Sequence, residues 1–275
     1  MDNKIIISAS RRTDLPAFYA DWLIKQFKQE RVDVPNPFNK KISTISLSPH
    51  HVHSVVLWSK NFSPLLNRIH ELKNYQLFFM FTINDSTSLE PHVPLLSDRF
   101  EQLDYIVNRF GKERVFIRFD PIVHWHHTNK IKNNLASFET ILEKIAKKGI
   151  SKLKISFMNT HYRKLSTRKF DFIELPLEEK NQLVTRLASL ASNYTVTLQF
   201  CCNSYLFQNS SIHNIERSSC IDGYYLSEIV GEPTILKKDP SQRTDCACTY
   251  SRDIGNYSQI CSHSCAYCYA NPKRI

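Results

Sequence analysis

The chain has 275 residues, of which 42% are hydrophobic and only five are glycine, and it carries a net charge of +10. The glycines are too scattered for the G-x-G-x-x-G fingerprint of dinucleotide-binding proteins or for a Walker-type P-loop, so both kinds of phosphate site are excluded. No apolar run approaches the roughly 18 residues of a membrane span, and the N-terminus lacks a signal-peptide pattern, so we expect a cytoplasmic protein.

Over the first 200 residues, runs typical of β-strands alternate with segments whose apolar residues recur at helical spacing. The predicted elements are strand 4–8, helix 16–30, strand 54–58, helix 64–72, strand 76–83, helix 97–110, strand 114–119, helix 134–148, strand 152–157, helix 176–190 and strand 195–200. This alternation favours a parallel sheet with helices outside it. Right-handed crossovers would curl six such units into a partial or closed barrel.

We therefore predict an α/β fold in which residues 1–203 form a six-unit (β/α) partial TIM-type barrel. Residues 204–275 are polar and rich in cysteine. They would form an extension of the same domain that closes over the mouth of the barrel.

The carboxyl ends of the predicted strands are polar, and in α/β barrels these ends carry the chemistry. The residues found there include Ser10, Arg11, Arg12, Asp14, Lys60, Asn84, Arg118 and Asp120. Two adjacent arginines need an anion or a carboxylate partner unless both are fully solvated, so Arg11, Arg12 and Asp14 are candidate functional residues. For any single residue of the set, an ordinary polar loop is the alternative. The histidines of 50–53 and 124–127 lack cysteine or carboxylate neighbours at metal-ligand spacing, and we interpret them as surface or loop residues.

All eight cysteines follow residue 200, and in a cytoplasmic chain such a cluster indicates metal binding or catalysis rather than disulfides. Three of them form the pattern Cys261-x3-Cys265-x2-Cys268. Three thiolates in one short loop can bind three irons of a cubane cluster and leave the fourth iron without a protein ligand. The alternative is a zinc site completed by His263 or by a fourth thiolate from elsewhere in the chain.

Four further cysteines, namely Cys201, Cys220, Cys246 and Cys248, could complete a closed site for a second iron–sulfur cluster or for zinc. We favour the iron–sulfur cluster. Cys202 is then the spare thiol of the adjacent pair, although both members of the pair could also be apolar filler at a strand end.

The spacing of the last three cysteines, with Tyr267 just before Cys268, resembles the cluster motif of radical S-adenosylmethionine enzymes. In those enzymes the cluster loop follows the first strand, whereas here it lies near the C-terminus. That arrangement resembles the bacterial domain-of-unknown-function family 1848, whose members carry a radical-SAM-like cysteine cluster at the C-terminus. The segments that carry this second resemblance are 7–18, 36–39, 58–61, 118–121, 220–223, 237–243, 253–255 and 265–271.

The resemblance implies an enzyme in which Cys261, Cys265 and Cys268 bind a [4Fe–4S] cluster that reductively cleaves S-adenosylmethionine to a 5′-deoxyadenosyl radical. The residues implied as catalytic are Arg11, Arg12, Asp14, Lys60, Arg118 and Asp120, and those implied as cofactor-binding are Tyr267, Asn84 and Ser10. An electron donor such as flavodoxin or ferredoxin would be a partner. The sequence has no Gly-Gly-Glu-like segment, the element that holds the methionine amino group in radical SAM enzymes.

Neither the resemblance nor the charge identifies the substrate, which could be a small molecule, a nucleotide or a nucleic acid. The basic residues are scattered along the chain rather than clustered, as an electrostatic footprint for nucleic acid would require. Two other classes of protein stay open. One is a zinc-stabilised basic module that binds nucleic acid, and the other is an iron–sulfur electron carrier that does not cleave S-adenosylmethionine.

Overall fold

The computed structural model of the chain describes residues 4–85, 87–162, 165, 168, 170–208 and 212–270, so Asn271 at the end of the resemblance lies outside the described residues. The helices are Leu15–Phe18 (α1), Ala20–Lys28 (α2), Ser63–Leu66 (α3), Leu96–Phe110 (α4), Phe138–Lys147 (α5), Leu177–Ser192 (α6) and Gly223–Val230 (α7). The strands are Ile5–Ala9 (β1), Arg31–Pro35 (β2), Ile42–Ser46 (β3), Val52–Ser59 (β4), Leu77–Thr82 (β5), Val115–Ile122 (β6), His124–His127 (β7), Lys130–Asn133 (β8), Lys152–Phe157 (β9), Asp171–Ile173 (β10), Thr197–Phe200 (β11), Ile215–Arg217 (β12) and Arg252–Asp253 (β13). No helix within these residues is long and apolar enough to cross a bilayer.

Eight parallel strands form the central sheet, in the order β12-β11-β9-β6-β5-β4-β1-β13. The predicted parallel α/β architecture is confirmed. The sheet differs from the predicted six-unit barrel in two respects: it has eight strands, and its edge strands β12 and β13 do not pair with each other in the described part of the chain. Both additional strands come from the cysteine-rich segment, and each is too short to produce a periodic sequence pattern.

The predicted helix over 16–30 divides into α1 and α2 at Tyr19, whose φ of −134° departs from helical values. The side chain of Asp14 caps α1 by accepting a hydrogen bond from Ala17 N at 3.0 Å, and Pro16 lies in the first turn. The predicted helix over 64–72 is a single turn of α3 followed by the 3₁₀ turn Ile69–Leu72.

The two faces of the sheet are covered by different parts of the chain. One face packs on the helices of the strand–helix units, and the buried contacts join Ile7, Leu57, Phe79, Phe119 and Leu153 to Leu23, Leu103, Ile141 and Val184. The other face presents Ile6, Val56, Trp58, Phe78 and Met80, which pack against Ile221 and Leu226 of the C-terminal segment. The cysteine-rich segment therefore completes the burial that a parallel sheet requires on both faces.

The last strand, β13, is fixed to β1 by Asp253. Its carboxylate accepts hydrogen bonds from Ser8 Oγ at 2.9 Å, Ser10 Oγ at 2.6 Å and Arg11 N at 2.8 Å. The chain packs so closely here that a Cβ on Gly255 would lie 2.0 Å from Ser10 Oγ and 2.5 Å from Ser10 Cβ. Glycine is required at this position for steric reasons.

Replacing Gly255 by alanine should lower the free energy of unfolding by about 1–3 kcal/mol, the usual cost of forcing a methyl group into a packed region. Urea denaturation followed by circular dichroism measures the change. Because the clash is with the side chain of Ser10, Gly255→Ala should cost less in a Ser10→Gly background than in the wild type, so the double variant should lose less stability than the sum of the two single losses. Additive losses would contradict the contact.

Candidate metal-binding cavity

A cavity of about 330 Å³ lies at the carboxyl end of the parallel strands, and all eight cysteines line it. The residues predicted as catalytic also line it, namely Arg11, Arg12, Asp14, Lys60, Arg118 and Asp120. Of the three residues predicted to bind the cofactor, Ser10 and Tyr267 line the cavity, whereas Asn84 lies buried outside its wall. The fold thus brings together two cysteine sets that are separate in sequence.

The first set is the C-terminal trio, which we define as Cys261, Cys265 and Cys268. Burial raises the pKa of Cys261 to about 12, with the negative charge of Asp14 adding to the effect, and burial also raises the pKa of Cys265. These two thiols therefore keep their protons at neutral pH. A metal ion that binds them must displace the protons, because the thiolate is the form that binds metal.

A buried network around Tyr267 anchors the loop of the trio. Tyr267 Oη donates a hydrogen bond to the Glu90 carboxylate, and Asn84 Nδ2 donates to Tyr267 Oη at 3.0 Å and to Glu90 at 2.9 Å. Lys60 Nζ forms an ion pair with Glu90 at 2.9 Å, and Ala266 N donates to Leu89 O at 2.8 Å. Asn84 therefore acts on the loop through Tyr267. Glu90 was missed from the sequence because it lies beyond the strand end and shows its role only through these contacts.

His263 lies within the same loop and is buried. Its Nε2 faces Asp14 Oδ2 at 3.0 Å, and its Nδ1 faces the carbonyl oxygen of His92 at 3.1 Å. Asp14 also accepts hydrogen bonds from Ser59 Oγ at 2.7 Å and from the Lys60 backbone N–H at 2.9 Å. Both ring nitrogens of His263 are thus engaged with oxygen atoms, so ligation of a metal by this residue would break one of these contacts.

The remaining cysteines form a second set, the five-thiol centre, which consists of Cys201, Cys202, Cys220, Cys246 and Cys248. Their ligand atoms fall into two groups that could each hold a metal ion, with all sulfurs of a group within 4.8 Å of one another. One group is Cys201, Cys202 and Cys246, and the other is Cys201, Cys220 and Cys248. Cys202, set aside as a spare thiol in the sequence analysis, therefore lies among the potential ligands.

Protons are shared unequally within the five-thiol centre. Hydrogen bonds from Cys201 and Cys246 lower the pKa of Cys202 to about 4, and hydrogen bonds from Cys201 and Cys220 lower the pKa of Cys248 to about 6. The same contacts raise the pKa of Cys201. The contacts within the centre therefore favour the thiolate form of Cys202 and Cys248, whereas burial favours the thiol form of Cys261 and Cys265.

Three cations surround the five-thiol centre. Arg11 acts electrostatically on Cys248, and its Nη1 also forms an ion pair with Asp239 at 3.5 Å. Arg243 acts electrostatically on Cys202. Lys154 is buried in β9, where its Nζ donates to Gln199 Oε1 at 2.8 Å and to Ser219 O at 2.9 Å. Among the residues described, neither Lys154 nor Arg243 forms an ion pair with a carboxylate. Lys154 was missed from the sequence, although a charged residue in the middle of a buried strand is an available signal.

The other arginines of the cavity wall are bound to acidic groups or carbonyls. Arg118 pairs with Asp120, and Arg12 Nη1 donates to Gly255 O at 3.0 Å. The guanidinium of Arg118 also lies 5.1 Å from the ring centre of Trp58. The carboxylate partners expected for the arginines after the first strand thus come largely from the C-terminal segment.

The histidine interpretation needs a correction. His53 and His124 are buried within strands β4 and β7 rather than exposed on the surface or in loops. His53 Nε2 lies 2.9 Å from the carbonyl oxygen of Glu232, so this buried ring nitrogen has a hydrogen-bond partner within the protein.

A family model described as a domain of unknown function, DUF1848, matches residues 6–270. The chain therefore belongs to this family. No curated protein matches the chain.

Replacing Glu90 by glutamine should lower the free energy of unfolding by about 2–4 kcal/mol at pH 7, because it leaves the largely buried Lys60 without its counter-charge. Burial alone would raise the pKa of Glu90, but the charge of Lys60 and the hydrogen bond from Tyr267 outweigh it and lower that pKa. A carboxyl group of this kind stabilises the fold above its unfolded pKa of about 4.3, and the contribution is lost as the pH falls through the lower folded pKa.

The stability difference between the wild type and Glu90→Gln should therefore be constant between about pH 6 and 7 and should shrink below about pH 4. Urea titrations at a series of pH values measure it. Glu139→Gln, which changes an exposed glutamate on α5, serves as the matched control and should shift stability by less than about 0.5 kcal/mol. A difference that persists undiminished at low pH would contradict the role given to the Glu90 charge.

Proposed function

We propose that this member of the DUF1848 family is a radical S-adenosylmethionine-type enzyme whose C-terminal trio holds a [4Fe–4S] cluster. The observation that carries the proposal is that the trio shares one cavity with the polar strand ends, while His263 beside it is engaged by Asp14 and His92. Three thiolates without a fourth protein ligand leave one iron of a cubane open to a cofactor.

The spacing of the thiols supports a cluster rather than a single ion at the trio. Thiolates that share one tetrahedral zinc ion lie about 3.8 Å apart, as follows from a Zn–S distance of about 2.3 Å. In a cubane each thiolate binds a different iron, so the sulfurs stand further apart. Within the described residues, the three sulfurs of the C-terminal trio do not all lie within 4.8 Å of one another, whereas the sulfurs of the five-thiol centre form two groups of three that do.

The position of the trio near the C-terminus is compatible with the proposal because β13 pairs in parallel with β1, with Ser8 opposite Asp253. Residues that follow β13 leave the sheet at the same edge as residues that follow β1. Cys261 comes eight residues after Asp253. The loop of the trio can therefore occupy the end of the sheet at which radical SAM enzymes hold the cluster loop of their first strand.

When bound and reduced, a cluster of this type would supply the one electron that breaks the S–C5′ bond of S-adenosylmethionine, giving methionine and a 5′-deoxyadenosyl radical. The protein's own part is binding and orientation. Tyr267, fixed by Glu90 and Asn84, would hold the trio loop in place, and Ser10 would contact the cofactor. The residues proposed to orient cofactor and substrate are Arg11, Arg12, Asp14, Lys60, Arg118 and Asp120.

The volume of the cavity also limits the size of the substrate of such an enzyme. Its volume of about 330 Å³ lies at the small end of the range for ligand pockets, about 300–1,000 Å³, and the cluster and S-adenosylmethionine would take up part of it, which favours a small molecule or a single nucleotide unit as substrate. A flavodoxin or ferredoxin in the cytoplasm would supply the electron. A second cluster at Cys201, Cys220, Cys246 and Cys248 stays a prediction from the sequence.

The proposal is tested by the iron, sulfide and zinc content of protein purified without oxygen, followed by mass-spectrometric detection of 5′-deoxyadenosine after reduction with S-adenosylmethionine present. We expect at least about four irons with matching sulfide per chain, and formation of 5′-deoxyadenosine. The triple variant Cys261→Ala, Cys265→Ala, Cys268→Ala should lose about four irons and all product. Ser262→Ala, which changes a neighbouring hydroxyl in the same loop, should keep both.

Other outcomes would assign the chain to a different class of protein. Iron and sulfide without 5′-deoxyadenosine would overturn the enzyme proposal in favour of an electron carrier. Zinc without sulfide would overturn it in favour of a zinc-stabilised module, whose affinity for nucleic acid should then fall steeply with salt.

A further inference from the structure

The five-thiol centre has one sulfur that belongs to both of its groups. Cys201 Sγ lies 3.6 Å from Cys202 Sγ and 3.9 Å from Cys246 Sγ. It also lies within 4.8 Å of the sulfurs of Cys220 and Cys248. The outer four sulfurs therefore form two pairs with Cys201 common to both.

The distances of 3.6 and 3.9 Å match the separation expected for thiolates bound to one tetrahedral ion, about 3.8 Å, and the sulfurs of Cys201, Cys220 and Cys248 all lie within 4.8 Å of one another. These distances are shorter than a cubane needs, where each protein sulfur binds a different iron. Five thiols also exceed the four positions of a single tetrahedral ion and the four protein ligands of a [4Fe–4S] cluster. Two groups of three thiols that share Cys201 account for all five cysteines.

We propose that the five-thiol centre binds two divalent ions of the zinc class, with Cys201 Sγ bridging them. Cys202 and Cys246 complete three thiolates on one ion, and Cys220 and Cys248 complete three on the other. This site consists of cysteines outside the C-terminal trio, so the proposal can be tested independently of the proposed enzyme activity.

The charges around the centre agree with this assignment. Five thiolates and two divalent ions together carry a single net negative charge. Lys154, which is buried close to the centre, and Arg243, which acts electrostatically on Cys202, have no carboxylate partner in the described part of the chain, so both cations can compensate negative charge at the centre. A buried cation of this kind is tolerated only where an opposite charge or a full set of hydrogen bonds compensates it.

Each ion would hold three protein thiolates and keep a fourth position. All five cysteines line the cavity, so that position is open to a water molecule or to a donor atom of a ligand in the cavity. Zinc sites that keep one open position are those that act on substrates, whereas fully closed four-thiolate sites are structural. The cavity would therefore have a pair of metal ions at one wall and the C-terminal trio at another.

The test is cadmium-113 NMR of the full-length chain, stripped of metal without oxygen and then loaded with cadmium-113 ions alone. We expect two thiolate-bound resonances that are coupled to each other through the shared sulfur of Cys201. Cys201→Ser should abolish the coupling. Cys202→Ser and Cys220→Ser should each weaken the binding of one ion only, because each removes a ligand from a different ion.

The matched control is Cys265→Ser, which removes a thiol outside the centre and should leave the coupled pair unchanged. The coupled pair is measured in the wild-type chain, so the result does not depend on the folding of any variant. A single ion bound by the five-thiol centre, or two resonances without coupling, would overturn the proposal. Iron and sulfide retained by the Cys261→Ala, Cys265→Ala, Cys268→Ala variant purified without oxygen would also overturn it, in favour of a second iron–sulfur cluster.

Discussion

The position of the C-terminal segment depends on the hydrogen bonds that the carboxylate of Asp253 accepts. It accepts hydrogen bonds from Ser10 Oγ and from the Arg11 backbone N–H, and so joins the edge strand β13 to the loop that follows β1. With β13 fixed in parallel beside β1, the chain after it emerges over the carboxyl end of the sheet. The C-terminal trio thereby reaches the same cavity as Cys201, which follows β11 near the other edge of the sheet.

The same segment also completes the hydrophobic core. The helices of the strand–helix units cover one face of the sheet, and Ile221 and Leu226 cover part of the other. Folding of the core and assembly of the cavity are therefore coupled, since the residues that bury the second face lie between Cys220 and Cys246 of the five-thiol centre. A ligand that binds only the folded chain stabilises it by mass action, so metal bound by these cysteines would also stabilise the core.

Sequence patterns predicted the six central strands and the three long helices of the repeating part, because these elements have a clear period, but they missed the hairpins β2–β3 and β7–β8. The predicted strand 152–157 coincides with β9, whereas β12 and β13 are too short to show any period. At the site, strand-end position identified the charged residues Arg11, Arg12, Asp14, Lys60, Arg118 and Asp120, and the cysteine patterns identified all seven predicted thiol ligands that line the cavity. Glu90 was not predictable in this way, because its partner Tyr267 lies 177 residues further along the chain. Lys154 was predictable in principle, as a charged residue within an apolar strand.

The charges of the cavity wall are largely paired within the protein, which bears on what the cavity can accept. The pairs are Arg11 with Asp239, Lys60 with Glu90, and Arg118 with Asp120. Although Arg243 in the same wall has no carboxylate partner among the described residues, these pairs compensate most of the wall's positive charge, so the net charge of +10 lies mostly elsewhere on the chain and gives no reason to expect a polyanion in this cavity. A compact ligand with a low net charge fits this wall better. Hydrogen bonds and shape would then determine its recognition, because a site built around buried polar groups strongly rejects ligands that leave those groups unpaired.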